Sequence, residues 1–134
     1  VIHLTPEQHV FVTERHLATL TTLRPNGTPH VVPVGFTWDP SLGVLRITTR
    51  VTSAKVRHVR NAQEAGGARV AVCQVDGGRW LTFEGLATVE EDPAEVEEAV
   101  RRYARRYRRL EHDPQRVVLR ITADRVLGSD YMTR

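Results

Sequence analysis

The sequence predicts a mainly β fold, a six-stranded antiparallel β-barrel with appended helices, and three observations carry that prediction. Six runs of alternating or β-branched residues recur along the chain. Short turn signals such as Pro25-Asn26-Gly27-Thr28 and Asp76-Gly77-Gly78 separate most of them. The remaining helical patterns are a short N-terminal segment, one surface helix and one longer helix. At 134 residues the chain can bury a core without disulfides, and with no repeat or linker it reads as one domain, 1–134.

Residues 5–15 open the chain as a short helix, with Thr5 as N-cap, Pro6 at the first position and Gln8 completing a capping box. The β-rich run 16–24 and a second run, Pro29 to Thr37, flank the Asn26-Gly27 turn and form a hairpin. The second run breaks two strand rules. Pro33 has no N–H for a ladder and Gly35 has no side chain to pack, so this stretch is an edge, a bulge or a surface that another group approaches closely. A flat ring against the backbone and a simple barrel bulge both satisfy it.

After the turn 38–43, Val44 to Thr49 alternates as a third strand, and Thr52-Ser53 offers N-caps for a helix from near Ala54 to about Ala65. Its apolar face is sparse (Val56, Val59, Ala62), its basic face is exposed, and Gly66-Gly67 stops it on the surface. A strand feeding a helix N-terminus points free N–H groups and the positive end of the dipole outward. Here hydroxyls (Thr48, Thr49, Ser53) and cations (Arg50, Lys55, Arg57) accompany them, which suits a phosphate. Lys55 is the single lysine against eighteen arginines, and marks either a place where a compact ammonium fits or an ordinary surface residue.

Strands four (Arg69 to Val75) and five (Arg79 to Val89) follow, with Cys73 read as a small buried hydrophobe and Glu84 as solvated or paired with an arginine. Asp92-Pro93-Ala94-Glu95 is a capping box that starts a helix running to about Arg109, with Val96, Val100, Tyr103 and Tyr107 as its buried stripe. Its six arginines (Arg101, Arg102, Arg105, Arg106, Arg108, Arg109) project away from that stripe, as a solvated face or an anion-contacting one. The last strand is Arg116 to Thr122, after which 123–128 leaves the sheet.

The net charge of +3 sits largely in one helix and the eight aromatics are scattered, so nucleic acid is not the expected partner. No apolar run approaches a membrane span and the N-terminus lacks a signal pattern, which makes cytoplasmic the expected location. One cysteine forms no internal bridge, the histidines are not at metal-ligand spacing, and no Gly-x-Ser-x-Gly, Walker or Rossmann pattern occurs. No metal site or catalytic side chain is therefore assigned. The phosphate cradle and the accessible backbone at Pro33-Val34-Gly35 suit a phosphorylated planar cofactor that brings its own redox chemistry.

The succession Leu17 to Phe36, then Thr48-Thr49-Arg50, Ser53-Ala54-Lys55 and Trp80-Leu81-Thr82-Phe83-Glu84-Gly85, closely resembles the flavin/deazaflavin oxidoreductase B group of the split β-barrel superfamily, which includes pyridoxamine 5′-phosphate oxidase. Gln74 to Leu81 and Arg125-Val126-Leu127-Gly128 look most like the coenzyme F420-dependent biliverdin reductases within that group. The resemblance implies an FMN-binding type of split barrel and a homodimer with cofactor grooves between the barrels. It implies a deazaflavin ring against Pro33, Val34 and Gly35, and a phosphate at Thr48, Thr49, Arg50, Ser53, Lys55 and Arg57. Gln74, Arg79 and Trp80 would border the groove, from the same chain or from the partner subunit, and hydride transfer would convert biliverdin to bilirubin. Arg50, Arg57 or Arg79 would hold the propionates or help deliver the proton.

Two departures favour coenzyme F420 over FMN and argue against vitamin-B6 oxidation. Ala54 and the uncharged run Val31 to Phe36 stand where the pyridoxamine phosphate oxidases carry basic residues, and their C-terminal Trp and Arg pattern is replaced by Tyr131-Met132-Thr133-Arg134.

Overall fold

Asn26-Gly27 folds back as expected, with Gly27 at φ +85° and Asn26 Oδ1 accepting from the Thr28 N–H. It joins β1 (Ala18–Leu23) to β2 (Pro29–Val34), paired from Ala18↔Val34 to Leu23↔Pro29. The computed structural model describes residues 2–129, so the terminal stretch Tyr131-Met132-Thr133-Arg134 lies outside it. The other elements are α1 (Pro6–Phe11), β3 (Thr37–Asp39), β4 (Val44–Arg50), α2 (Ala54–Gln63), β5 (Ala68–Asp76), β6 (Arg79–Glu90), α3 (Pro93–Arg106) and β7 (Arg116–Gly128). The predicted Thr5/Gln8 capping box starts α1.

The sheet is antiparallel in the order β2-β1-β5-β6-β7-β4-β3, with seven strands rather than six, and it is not closed. The extra strand comes from the predicted run Pro29 to Thr37, which breaks at Gly35-Phe36. Its first half is the edge strand beside β1 and its second half pairs with β4 at the opposite edge. Extending the β3–β4 register (Thr37↔Arg46) backwards would set Gly35 opposite Thr48 and Pro33 opposite Arg50, but those pairs are not formed. Proline has no N–H to donate to a second neighbour, so the strands part there and leave a split.

The last strand corrects the prediction too, since 123–128 stays in the sheet and pairs with β6 after a register shift at Glu84/Gly85. A side chain at Gly85 would run into the Thr122 carbonyl, so glycine forms this bulge.

Leu20, Phe36, Leu45, Ile47, Val72, Leu81, Phe83, Leu119 and Ile121 fill the interior, closed by Phe11 from α1 and by Val56 and Val59 from α2. The helix predicted to lie on a surface thus plugs the core with two fully buried valines. Cys73 is half-buried on the outer side of β5, opposite Thr19 and Thr82, not in the core.

The longer helix departs most from its predicted face. α3 packs on β3, β4 and β7, and its deepest residues are Ala99 and Arg106, with Tyr107 just beyond, while Val96 and Val100 are only half-buried. The expected capping box is reduced to Asp92 accepting from the Ala94 N–H. With α3 over its outer side, β4 is buried on both faces through Val44, Leu45, Arg46 and Ile47.

Candidate functional site

The split places the two predicted halves of the site on facing borders. Pro33-Val34-Gly35 ends β2 on one side, Thr48-Thr49-Arg50 ends β4 on the other, and α2 begins directly beyond. Ser53 occupies the N-cap position with extended backbone but makes no side-chain cap; its hydroxyl instead accepts from Thr49 Oγ1 at 3.3 Å. First-turn N–H groups have no partner within a helix, so those of α2 are free to take an anion.

Lys55 stands in that first turn, half-buried, with no hydrogen bond or ion pair to any described residue. Burial pulls its ammonium below the usual lysine value, the mark of a cation that has lost water and gained no counter-charge. The neighbouring cations are differently placed. Arg57 is exposed and donates to the Thr52 carbonyl at 3.2 Å, whereas Arg50 is drawn to Gln115 Oε1 (2.7 Å) and Asp113 (3.3 Å). One turn on, His58 Nδ1 lies 2.8 Å from Thr22 Oγ1, and its ring meets His30 edge-on at 4.9 Å. Through this contact α2 reaches across to β1 and β2.

On the facing border, Pro33 is exposed and the Val34 side chain is buried, so only backbone is offered to a ligand at Val34. The close approach inferred at Gly35 exists, but the rings belong to the protein. A Cβ there would sit 2.9 Å from Tyr103 Cε2 and 3.0 Å from Tyr107 Cε2. Tyr107 pins this bend, donating from its hydroxyl to the His16 carbonyl (2.7 Å) and accepting from the Phe36 N–H (3.3 Å).

Within the chain, Gln74 and Arg79 are engaged by partners of their own. Gln74 is fully buried, donates to the Phe11 carbonyl at 2.9 Å and accepts from Arg106 at 2.5 Å. Arg79 clamps Glu14 with two bonds (2.9 and 3.1 Å), contacts Asp76 and lies over the Phe11 ring. Glu14, His16 and Asp76 converge as potential metal ligands, yet the Arg79 guanidinium already supplies the positive charge among them. Trp80 stays partly exposed on the outer face of β6.

Sequence reading missed Arg106. This buried arginine of α3 bonds the carbonyls of Glu14 (2.9 Å), Phe36 (2.6 Å) and His16 (3.4 Å) as well as Gln74, tying the segment between α1 and β1, the Gly35-Phe36 bend and β5 to one helix. Arg102 also turns inward, 3.3 Å from the buried Asp39, which Arg46 grips at 2.9 Å. Neither was separable from the other arginines by charge; the spacing of Arg102 and Arg106 with Ala99 and Tyr103 was the available signal.

The sequence matches the family described as pyridoxamine 5′-phosphate oxidase over residues 4–130. It is 47% identical over 126 residues to the F420H(2)-dependent biliverdin reductase of Mycobacterium tuberculosis (strain CDC 1551 / Oshkosh), covering 94% of this chain and 88% of that protein. Among solved structures, a conserved hypothetical protein from Mycobacterium tuberculosis superposes with a TM-score of 0.78 at 24% identity, over 99% of this chain and 88% of that one. A structure described as F420 reductase gives 0.66 at 25% identity, over 89% and 94%. With a family match that runs through every strand of the sheet and a relative sharing nearly half its residues, this chain belongs to the pyridoxamine 5′-phosphate oxidase family of split β-barrels.

Proposed function

We propose that this protein is a coenzyme F420-dependent oxidoreductase that reduces biliverdin or a similar conjugated acceptor. The observation that supports this best is Lys55, a desolvated cation without a counter-charge beside an uncapped helix N-terminus, because a phosphate satisfies both. In this reading the first-turn N–H groups of α2 and the hydroxyls of Thr48, Thr49 and Ser53 hold the cofactor phosphate. Lys55 and Arg57 balance its charge, and the backbone of Pro33, Val34 and Gly35 borders the ring. The bound reduced deazaflavin supplies a hydride. The acceptor's central methine carbon takes that hydride, and a proton to a pyrrole-type nitrogen completes the product. Guanidinium groups do not give up protons near neutral pH, so Arg50 and Arg57 would orient acidic substituents of the acceptor rather than act as acids.

The same reading includes a homodimer. By strand register, Leu23, Val31, Val75, Trp80 and Leu86 all lie on the outward face of β1, β2, β5 and β6, and all are exposed, as is Leu17 just before β1. A second copy on that face would bring Trp80 to its partner's groove, while Gln74 and Arg79 act within their own chain.

Parallel titrations with coenzyme F420 and with FMN, followed by mixing with reduced F420 and biliverdin, test the assignment. Tighter F420 binding and the appearance of bilirubin absorbance are expected. Preference for FMN would transfer the reading to a flavin reductase of the same fold, and F420 binding without bilirubin would remove only the acceptor.

A further inference from the structure

Beside the Gly35-Phe36 bend, α1, β3 and α3 enclose a cleft of about 240 Å³ whose wall includes Thr37, Arg102, Arg105 and Arg106. His9 and Trp38 are shared between it and a second hollow of about 460 Å³ lined by Leu4, Val10 and Pro40. One compartment is cationic and the other apolar, and together they reach the size range of small-molecule sites, about 300–1,000 Å³.

The cationic end is not neutralised from within. Arg46 and Arg102 share the single carboxylate of Asp39, and Glu98, the other partner of Arg102, is also taken by Arg101. Arg105 has no hydrogen bond or ion pair with a described residue. Arg106 is buried, and all four of its hydrogen bonds go to neutral oxygens, three backbone carbonyls and the Gln74 amide. Its nearest anion, Glu14, is already clamped by Arg79, so this buried guanidinium leaves positive charge in the cleft it lines. Burial lowers the Arg106 pKa, while the neighbouring Tyr107 and Glu14 act to raise it. Thr37, 92% buried on the same wall, has a hydroxyl with no partner among the described residues.

We infer that this cleft is a second binding site, for a small organic carboxylate with an apolar body. The carboxylate sits at Arg105 and Arg106, and the body passes Trp38 toward Leu4, Val10 and Pro40. An apolar amine is repelled by the guanidiniums, and inorganic phosphate leaves the apolar hollow unused. The site shares no residue with the cofactor cradle, so it stands whether or not the F420 reading does.

The probe is octanoate, titrated into the ¹⁵N-labelled full chain, with octanamide as the uncharged isostere. Saturable shifts are expected at the Thr13, Thr37 and Trp38 amides and the Trp38 indole, at least tenfold weaker for octanamide. Arg105→Glu, an exposed position, should weaken octanoate at least tenfold while leaving F420 affinity within twofold; Arg105→Gln serves if the reversal disturbs folding. Absence of saturable shifts, equal response to octanamide, shifts confined to the split, or unchanged affinity in both Arg105 variants would each overturn the proposal.

Discussion

Lys55 shows how a single residue type gains meaning from its surroundings. An exposed lysine at a helix start is unremarkable, but half-buried, unpaired and depressed in pKa it is a cation awaiting an anion. Lys55→Ala is expected to weaken F420 binding tenfold or more, since a charge-assisted contact contributes about 1.5–3 kcal/mol. An unchanged dissociation constant in a fluorescence titration would remove the phosphate from this position. Gly35 is the opposite case, kept small by the protein itself. Gly35→Ala pushes a methyl group into the rings of Tyr103 and Tyr107 and is expected to destabilise the fold by about 1–3 kcal/mol, read from the urea midpoint. No loss of stability would mean that the tyrosines yield without cost.

At the scale of elements, α3 works as a clamp more than as an amphipathic cover. Its inward arginines replace part of an apolar stripe: Arg106 bonds backbone carbonyls and Gln74, and Arg102 is drawn to the buried Asp39, which Arg46 of β4 also grips. Burial by itself would raise that carboxyl, but hydrogen bonds from Ser41 and Arg46 and the charge of Arg102 hold it at about 2, below its ordinary 3.8. A depressed carboxylate stabilises the folded state above its unfolded pKa, and that stabilisation is lost as pH falls through the folded value. The loss should therefore fall between roughly pH 4 and 2 and amount to about 2 kcal/mol. Thermal melts across that window are expected to be flatter for Asp39→Asn, which also destabilises at neutral pH by leaving Arg46 unpaired. Parallel melting profiles for the two proteins would show that the acid sensitivity arises elsewhere, for instance at Glu14 or Asp124, whose arginine partners also lower them.

For the whole molecule, the decisive feature is a sheet whose two edges belong to one continuous stretch of chain. β2 and β3 run into each other through Gly35-Phe36 yet lie at opposite edges, so the opening between Pro33 and Arg50 is bordered on both sides without being bridged. The outward face of β2, β1, β5 and β6 carries the exposed Leu23, Val31, Val75, Trp80 and Leu86, the surface on which the proposed homodimer would form. Sedimentation at micromolar concentration is expected to give twice the mass of the 15.2 kDa chain, and Val31→Glu with Val75→Glu to give single chains. A monomeric parent protein would detach Trp80 from any groove.

What the sequence determined by itself is local. The Thr5/Gln8 capping box, the Asn26-Gly27 hairpin and the start of α2 at Ala54 all follow from residues within a few positions of one another. The extra strand, the inward turn of Gln74, Arg102 and Arg106, and the rings against Gly35 were decided only in the tertiary structure. Each depends on which surfaces meet across the fold. Alternation along β4 cannot reveal that a helix covers its second face, and six arginines of equal charge differ only once an element packs against some of them.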